Sequence, residues 1–281
     1  MQTKIIDGKK IRDELLQDIK NEVEKLPFVP VFCDILVGED TVSASYVRIK
    51  AKTAESVGIK FRTAEFPSSV TTEELIAEIE ALNRVPHMCG IIIQLPLPSH
   101  IDKEAVLDAI DPSVDVDCLG ARAQALFYNN EPVFSFPTAR ASMKILDESV
   151  PELSGKKIVI LGQGMLVGRP VTHLLRTRGY DVETITSVTE NPKEILRSAD
   201  VVISAIGKAN FLTADMIQEG AIIIDAGTSE EDGAVVGDVD TNSVMNVAGM
   251  LTPSPGGVGP VTVAMLLSNV LLCAQKRNES R

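Results

Sequence analysis

A short glycine-rich turn constrains the fold of this chain more than any other feature. The apolar run Ile158–Leu161 leads directly into Gly162-Gln163-Gly164, and a helical stretch begins after Gly168. In a strand–turn–helix unit the first glycine permits the tight turn and the second lets a pyrophosphate approach the backbone, while the helix N-terminus supplies oriented N–H groups. The pattern predicts a dinucleotide site here, with a purely structural βα turn as the alternative.

Strands and helices alternate along the chain, which predicts an α/β fold with mainly parallel sheets. Apolar or alternating runs predict strands at 31–37, 59–66, 90–95, 157–161, 181–186, 200–206 and 221–225. Helical periodicity predicts helices at 11–26, 41–57, 71–82, 103–110 and 139–150, and another after Gly168. The periodicity fails between Gly120 and Pro137, so an exit from a first domain is expected there, and a length of 281 residues favours two domains.

Composition and charge argue against several classes of protein. The 27 basic and 39 acidic residues give a net charge of −12 without a compensating basic run, so nucleic acid is not an expected partner. The N-terminus lacks the apolar core of a signal peptide, and the apolar stretch Val261–Ala274 is predicted to be a buried helix rather than a membrane span. The scattered cysteines and histidines predict neither disulfides nor a metal site. We expect a cytoplasmic protein.

Three groups of polar residues before the turn are candidates for chemistry. Tyr46 and Lys50 are four apart, so both side chains share one face of a helix. Gln94 ends an apolar strand, and α/β proteins bind ligands at the carboxyl ends of parallel strands. Asp115 and Asp117 lie on one side of an extended segment, where they could bind a metal or accept paired hydrogen bonds from a pterin-like ring. Each group also fits a structural role: a surface pair, a loop anchor, and solvated acids.

Together these residues and the glycine turn form a specific pattern. The motifs are Tyr46-Val-x-x-Lys50, Gly90-Ile-Ile-Ile-Gln-Leu-Pro-Leu97, Asp115-Val-Asp117, Val167-Gly-x-Pro170 and Pro253-x-Pro-Gly-Gly-Val-Gly-Pro260. With them the chain resembles the bifunctional methylenetetrahydrofolate dehydrogenase/cyclohydrolase family over essentially its whole length.

The resemblance implies two linked reactions and a division of the chain between two domains. The first reaction is the NAD(P)-dependent oxidation of 5,10-methylenetetrahydrofolate to the 5,10-methenyl cation, and the second is its hydrolysis to 10-formyltetrahydrofolate. Residues 1–138 together with 265–281 would form the folate-binding catalytic domain. Residues 139–264 would form a Rossmann-type dinucleotide-binding domain, and a homodimer is expected.

The resemblance also implies a role for particular residues. Lys50 would be the central catalytic group, Gln94 would hydrogen-bond and tune it, Tyr46 would stack on the folate ring system, and Asp117 would anchor the pterin. The loop of Pro255, Gly256 and Gly257 would border the substrate. The residues expected to bind the dinucleotide are Gly162, Gln163, Gly164, Val167, Gly168, Ser187, Gly207 and Thr228.

Several positions depart from the family pattern. Gln163 stands where an arginine usually grips the 2′-phosphate of NADP, so NAD is the favoured cofactor, with Ser187 as a possible ribose or phosphate contact. Val114 and Cys118 replace a lysine and a glycine that usually flank the Asp115–Asp117 motif, and the segment Ala139–Ala141 differs as well. These changes leave two alternatives open: a dehydrogenase with weak or lost cyclohydrolase activity, or a folate- or nucleotide-binding paralogue without turnover.

Overall fold

The chain is divided into two compact units. The computed structural model describes residues 2–38, 41–231 and 234–279. One unit, here called the three-stranded unit, comprises Glu14–Pro137 and Val263–Arg281. The other, the six-stranded unit, comprises Met1–Asp13 and Thr138–Thr262. Each unit is therefore built from two separate stretches of sequence.

The strands and helices alternate as the sequence predicts. The strands are β1 (Lys4–Ile5), β2 (Val31–Val37), β3 (Lys60–Phe66), β4 (Met88–Ile93), β5 (Ile158–Leu161), β6 (Val182–Ile185), β7 (Val201–Ser204), β8 (Ile222–Asp225), β9 (Ser229–Glu231), β10 (Ala234–Val236) and β11 (Met250–Leu251). The helices are α1 (Gly8–Val23), α2 (Thr41–Ser56), α3 (Thr72–Asn83), α4 (Lys103–Asp108), α5 (Ala121–Tyr128), α6 (Pro137–Ser149), α7 (Gly168–Thr177), α8 (Pro192–Arg197), α9 (Thr241–Val244) and α10 (Val258–Glu279). A 3-10 turn covers Ala214–Met216.

The three-stranded unit is built around a parallel sheet in the order β3-β2-β4. Its central strand, β2, is buried from Phe32 onwards, as expected of a parallel strand that is covered on both faces. Gly90 in β4 lets α10 approach closely, because a Cβ at this position would lie 2.8 Å from Val270 Cγ2. The carboxyl ends of β2 and β4 lie side by side, which places Gln94 next to the end of β2.

The six-stranded unit has a parallel sheet in the order β1-β11-β8-β7-β5-β6, so the expected mainly parallel arrangement is confirmed. Its buried core includes Val159, Leu161, Val202, Ile223 and Leu251. The topology brings the carboxyl ends of β5, β7 and β8 to one edge of the sheet. Open α/β sheets bind ligands at this edge. Antiparallel pairing among the described strands occurs between β9 and β10.

The first residues of the chain differ from the sequence-based expectation. Residues before Asp13 were expected with the folate-binding domain, but β1 is an edge strand of the six-stranded sheet. Backbone N–H groups of Lys4 and Ile6 donate to the carbonyls of Gly249 and Leu251. A strand of two residues is too short to produce a visible periodicity. The other junctions lie at 137/138 and 262/263.

Two helices show what periodicity detects and what it misses. The segment 121–128, in which no periodicity was seen, is helix α5, and it buries Ala123 and Phe127 only. The predicted buried late helix is present as α10, which has 22 residues and is long and apolar enough to cross a membrane by length and composition. Most of α10 is nevertheless buried in the protein, with Val261, Leu267 and Val270 fully covered, as in the core helix of a globular fold.

Candidate active site

A buried ion pair and an amide meet at the carboxyl end of the three-stranded sheet. Lys50, on the third turn of α2, places its Nζ 2.8 Å from Gln94 Oε1 and 2.6 Å from Asp34 Oδ2. The side chain of Lys50 is 11% exposed and that of Asp34 is fully buried. Tyr46, one helical turn before Lys50, is 39% exposed. The structure thus brings Lys50 and Gln94 together as the resemblance implies, and it adds a carboxylate.

Asp34 is a functional candidate that the sequence analysis missed. It occupies the middle of β2, in a run of otherwise apolar residues that was interpreted only as a buried strand. Its Oδ1 has no hydrogen-bond partner among the described residues. Burial raises the pKa of Asp34, and the Lys50 ammonium opposes that rise. The signal that could have revealed it is a lone carboxylate in a strand buried on both faces.

The two aspartates of the Asp115–Asp117 motif have different environments. Asp115 is buried and accepts hydrogen bonds from the backbone N–H groups of Leu119 and Gly120, so it stabilises the local turn. Asp117 is only partly covered. Burial raises the pKa of Asp117 to about 6, Lys50 opposes the rise, and Asp34 adds to it. Asp117 therefore belongs electrostatically to the Lys50 centre, whereas Asp115 is structural.

The residue after this motif departs from the family pattern in type but keeps a backbone conformation that suits glycine. Cys118 adopts a φ of 58°, in the left-handed region that favours glycine, and it is buried. The backbone geometry is thus one that the usual glycine would adopt without strain. In the part of the chain that the structure describes, no group of three His, Cys, Asp or Glu side chains is arranged to hold a metal ion.

The glycine turn after β5 has the geometry that a pyrophosphate needs. Gly162 has a φ of 97°, and a Cβ there would lie 2.6 Å from the carbonyl oxygen of Ala205. A Cβ at Gly168 would overlap the carbonyl of Gly162, so the turn and the start of α7 pack in direct contact. Gly164 is exposed, and nothing comes nearer than 4.0 Å to the position of its missing Cβ. This open backbone before a helix N-terminus fits a dinucleotide phosphate.

The side chain of Gln163 is held within this turn. Its Nε2 donates to Gly162 O at 2.9 Å and to Thr172 Oγ1 at 3.0 Å. Val167 is the N-cap of α7 and makes no side-chain capping hydrogen bond. Ser187 is exposed in the turn that follows β6, two residues beyond the end of the strand. The residue that replaces the expected arginine is therefore neutral and already hydrogen-bonded.

Gly207 and Thr228 lie on neighbouring loops after β7 and β8. A Cβ at Gly207 would be 3.6 Å from the carbonyl oxygen of Thr228. Two buried carboxylates that the sequence analysis did not single out hold these loops. Asp238 accepts hydrogen bonds from Ser204 Oγ and from the backbone N–H groups of Ile206 and Lys208.

The second of these carboxylates, Asp225, is equally well bonded. It accepts hydrogen bonds from the backbone N–H groups of Gly227, Asp238 and Val239. Burial raises the pKa of Asp225 to about 7, and its backbone donors oppose that rise. Both glycines beside the pair are required by space, since a Cβ at Gly227 or Gly237 would overlap a carboxylate. The pair fixes the shape of the loops that carry Gly207 and Thr228.

The loop of Pro255, Gly256 and Gly257 lies in the six-stranded unit and leads into α10. Gly256 has a φ of 109°, and the N–H of Gly257 donates to the carbonyl of Pro253 at 2.7 Å. Gly8, at the start of α1, contacts this loop so closely that a Cβ there would overlap the Gly257 carbonyl. The loop is thus held in one conformation by backbone contacts.

A Rossmann-type sheet with a phosphate-binding turn, together with a lysine–amide–carboxylate centre in a second α/β unit, defines a two-domain dinucleotide-dependent enzyme. Two family descriptions match this chain: the catalytic domain of tetrahydrofolate dehydrogenase/cyclohydrolase at residues 6–117, and its NAD(P)-binding domain at residues 137–278. The chain belongs to the tetrahydrofolate dehydrogenase/cyclohydrolase family.

Individual relatives support this assignment over the full length of the chain. The bifunctional protein FolD of Methanoculleus marisnigri is 39% identical over 274 residues, which cover 97% of each chain. The crystal structure of the bifunctional enzyme FolD from Campylobacter jejuni superimposes with a TM-score of 0.93 at 36% identity, covering 98% of this chain and 99% of that one. The Trypanosoma brucei FolD structure, complexed with NADP cofactor and an inhibitor, gives 0.92 at 35% identity, with 99% of both chains covered.

Proposed function

We propose that this enzyme carries out both family reactions at one centre around Lys50. It would oxidise 5,10-methylenetetrahydrofolate with a nicotinamide dinucleotide and then hydrolyse the 5,10-methenyl product to 10-formyltetrahydrofolate. The observation that carries the proposal is the pairing of Lys50 Nζ with Gln94 Oε1 at 2.8 Å, beside Asp117, at the carboxyl end of the sheet. A lysine paired in this way can exchange protons with a bound substrate.

Oxidation needs the substrate to be held in one orientation. The dinucleotide, when bound, supplies the acceptor for the hydride that leaves the bridging carbon. Tyr46 presents a partly exposed ring to which the folate ring system can stack. The Asp117 carboxylate can accept paired hydrogen bonds from the pterin N–H groups. Positioning of this kind is the main contribution that a protein makes to a hydride transfer.

Hydrolysis needs a proton to move. Water adds to the methenyl carbon and loses one proton to the solvent. The hydroxyl that results then loses its own proton as N5 gains one and the carbon–N5 bond breaks, so one proton is released overall. Lys50 is the group that can give a proton to N5 and regain one from the hydroxyl, because its Nζ lies at the centre of the site. Gln94 accepts a hydrogen bond from Lys50 and thereby fixes the direction in which the ammonium points.

The dinucleotide is proposed to be NAD, although either NAD or NADP fits the glycine turn. Gln163 stands in place of a cation and spends its amide donors on Gly162 O and Thr172 Oγ1. NADP sites use an arginine to bind the 2′-phosphate. Ser187 would then contact the ribose hydroxyls.

One assay tests the proposed function most directly. Purified enzyme is incubated with methylenetetrahydrofolate and either NAD or NADP, while the reduced cofactor, the methenyl product and 10-formyltetrahydrofolate are followed together. We expect both products, with higher kcat/KM for NAD. Accumulation of the methenyl compound with only its spontaneous hydrolysis would indicate a dehydrogenase alone. Ligand binding in calorimetry without any product would indicate a non-catalytic paralogue.

The choice of cofactor can be tested by restoring the missing cation. Gln163→Arg is expected to shift the ratio of kcat/KM values towards NADP by about tenfold, since a charge-assisted hydrogen bond to phosphate contributes on the order of 1.5–3 kcal/mol. Gln163→Met, which has a similar length and no charge, is the control and should leave the preference unchanged. An equal change in both variants would contradict the role of charge at this position.

We also propose a cytoplasmic homodimer, as the family resemblance implies. Light scattering coupled to size-exclusion chromatography is expected to give twice the chain mass of 30.2 kDa. A monomer over the whole range of working concentrations would contradict this expectation.

A further inference from the structure

We propose that Asp34 is a positioning residue for Lys50: its buried carboxylate holds Lys50 in the ammonium form, oriented towards the substrate, and so sets the pH range of the hydrolysis. The inference rests on the proposed function of Lys50. It is carried by the 2.6 Å ion pair between Lys50 Nζ and Asp34 Oδ2, by complete burial of the Asp34 side chain, and by the absence of a hydrogen-bond partner for Oδ1 among the described residues.

A carboxylate at the position of Asp34 lowers the stability of the fold, so its presence is best explained by a function. Its neighbours along β2 are Cys33 and Ile35, and its partners in the adjacent strands are Thr63 and Ile92. A β-branched apolar residue would suit such a central strand. Burying a carboxylate with one oxygen unpaired carries a large desolvation cost, and a buried ion pair does not by itself favour stability. The charge is therefore better explained by its action on Lys50.

The charged groups around the pair come from three directions. Lys50 approaches from α2, and Asp117 approaches from the segment after β4 and interacts electrostatically with both members of the pair. Gln94, which is neutral, accepts a hydrogen bond from Lys50. On β2 itself the neighbouring thiol of Cys33 has its pKa raised to about 12 by burial, so it stays uncharged, and Arg62 acts on that thiol from β3. Asp34 is thus the anion in direct contact with the lysine.

This arrangement gives Asp34 a defined part in the proton movement. With the carboxylate present, Lys50 begins as an ammonium and can give a proton to N5 as the carbon–nitrogen bond breaks. It then regains a proton from the hydroxyl that becomes the formyl oxygen, so the pair returns to its starting state. Asp34 does not touch the substrate in this account, and its effect passes through Lys50 alone.

The main test is the pH dependence of hydrolysis in Asp34→Asn, which keeps the shape and removes the charge. Without the anion, the neutral amine is favoured, so the limb of the pH–rate profile that reports Lys50 should move to lower pH by about one unit or more. Ile35→Val is the matched control, because it loosens the same strand without changing a charge, and its profile should not move. A merely structural role for Asp34 would lower the rate at every pH without moving the limb.

A second measurement does not depend on activity. A neutral amine reacts with sulfo-N-hydroxysuccinimide acetate, whereas an ammonium does not. The extent of labelling of Lys50 therefore reports its protonation. Lys52, which is exposed on the same helix, serves as the internal reference. In Asp34→Asn the Lys50-to-Lys52 labelling ratio at about pH 8 should rise roughly tenfold for a shift of one unit. Ile35→Val should leave the ratio unchanged.

The outcomes separate this inference from the proposed function. Equal labelling ratios in the wild type and in folded Asp34→Asn overturn the role of Asp34. A raised ratio in a protein that makes no folate product upholds the role of Asp34 and removes the proposed function instead. If Asp34→Asn does not fold, Asp34→Val, which suits a buried parallel strand, takes its place with the same expected shift.

Discussion

Buried carboxylates occur in both units of this enzyme, and their surroundings differ sharply. In the six-stranded unit, Asp225 and Asp238 accept hydrogen bonds from five backbone N–H groups and one hydroxyl. In the three-stranded unit, Asp34 has a lysine on one oxygen and no described hydrogen-bond partner on the other. The first pair is bonded like a helix cap or a turn; the second site retains unused bonding capacity.

The difference separates carboxylates that shape loops from a carboxylate that we propose to act on the catalytic lysine. A carboxylate whose oxygens all accept hydrogen bonds from backbone N–H groups stabilises the conformation of those segments, and no oxygen is left to bind another group. A buried ion pair with an unpaired carboxylate oxygen lowers the stability of the fold, and its lysine can still transfer a proton. All three carboxylates, Asp34, Asp225 and Asp238, are buried, so burial does not distinguish them. The number of hydrogen bonds that each accepts separates Asp34 from the other two.

The largest expected effect comes from removing Lys50, the cation that is paired with Asp34. Lys50→Met should reduce the hydrolysis of methenyltetrahydrofolate by about a thousandfold or more, because general acid–base catalysis contributes on the order of 10² to 10⁴ and positioning adds to this. Folate binding should weaken less. Loss of the methenyl absorbance, corrected for spontaneous hydrolysis, measures the rate. Unchanged cyclohydrolase activity would refute the central role of Lys50.

Substitution of a carboxylate that is fully hydrogen-bonded, such as Asp238, should change the stability of the fold rather than proton transfer. Asp238→Asn replaces one acceptor by a donor that faces an existing donor, so we expect the free energy of unfolding to fall by about 3 kcal/mol. Asp240→Asn is the matched control: Asp240 caps α9 through the N–H of Ser243, and asparagine caps equally well. Urea unfolding of both variants gives the comparison. Equal losses would show that the donors around Asp238 are not what distinguishes it.

The smallest expected effect is a pH dependence of the dehydrogenase step. Burial raises the pKa of Asp117 to about 6, so the carboxylate that would accept from the pterin is present above about pH 6 and is lost as the pH falls. Below about pH 6, kcat/KM should decline roughly tenfold per unit, because this parameter reports groups of the free enzyme. Asp117→Asn, already neutral, should be slower but should lack this limb. A limb that persists in Asp117→Asn would assign it to another group.

Much of the fold could be predicted because its main elements are long and strongly patterned. β2 has the predicted bounds, and α3 begins with the capping box that Thr71 and Glu74 announce in the sequence. The missed elements are short: β1 and β11 have two residues each, and α5 buries only two side chains. Periodicity needs several turns or alternations before it stands out from chance.

The candidate site could be predicted where a sequence motif indicates the role of a residue. It could not be predicted where the three-dimensional surroundings of a residue determine that role. Lys50 and Gln94 could be paired because a family pattern united them, and the structure places them in contact. Residue type and spacing alone do not distinguish the backbone-bonded Asp115 from the partly open Asp117. The resemblance singles out Asp117, and the hydrogen bonds that Asp115 accepts from Leu119 and Gly120 become visible only in three dimensions. Asp34 was read as part of a strand for the same reason.

The pairing of β1 with β11 has a consequence for how the chain is made. Lys4 pairs with Met250, so one edge of the six-stranded sheet can form only after residues almost a full chain length later have been synthesised. The three-stranded unit also depends on late residues, since Val270 of α10 covers Gly90. Contacts so distant in sequence form slowly, and until they form, apolar strands are exposed. A ribosome that stalls in the last tenth of the message, before α10 is complete, would therefore release a chain that contains β11 but leaves the three-stranded sheet uncovered, and chaperones and proteases would act on such a fragment.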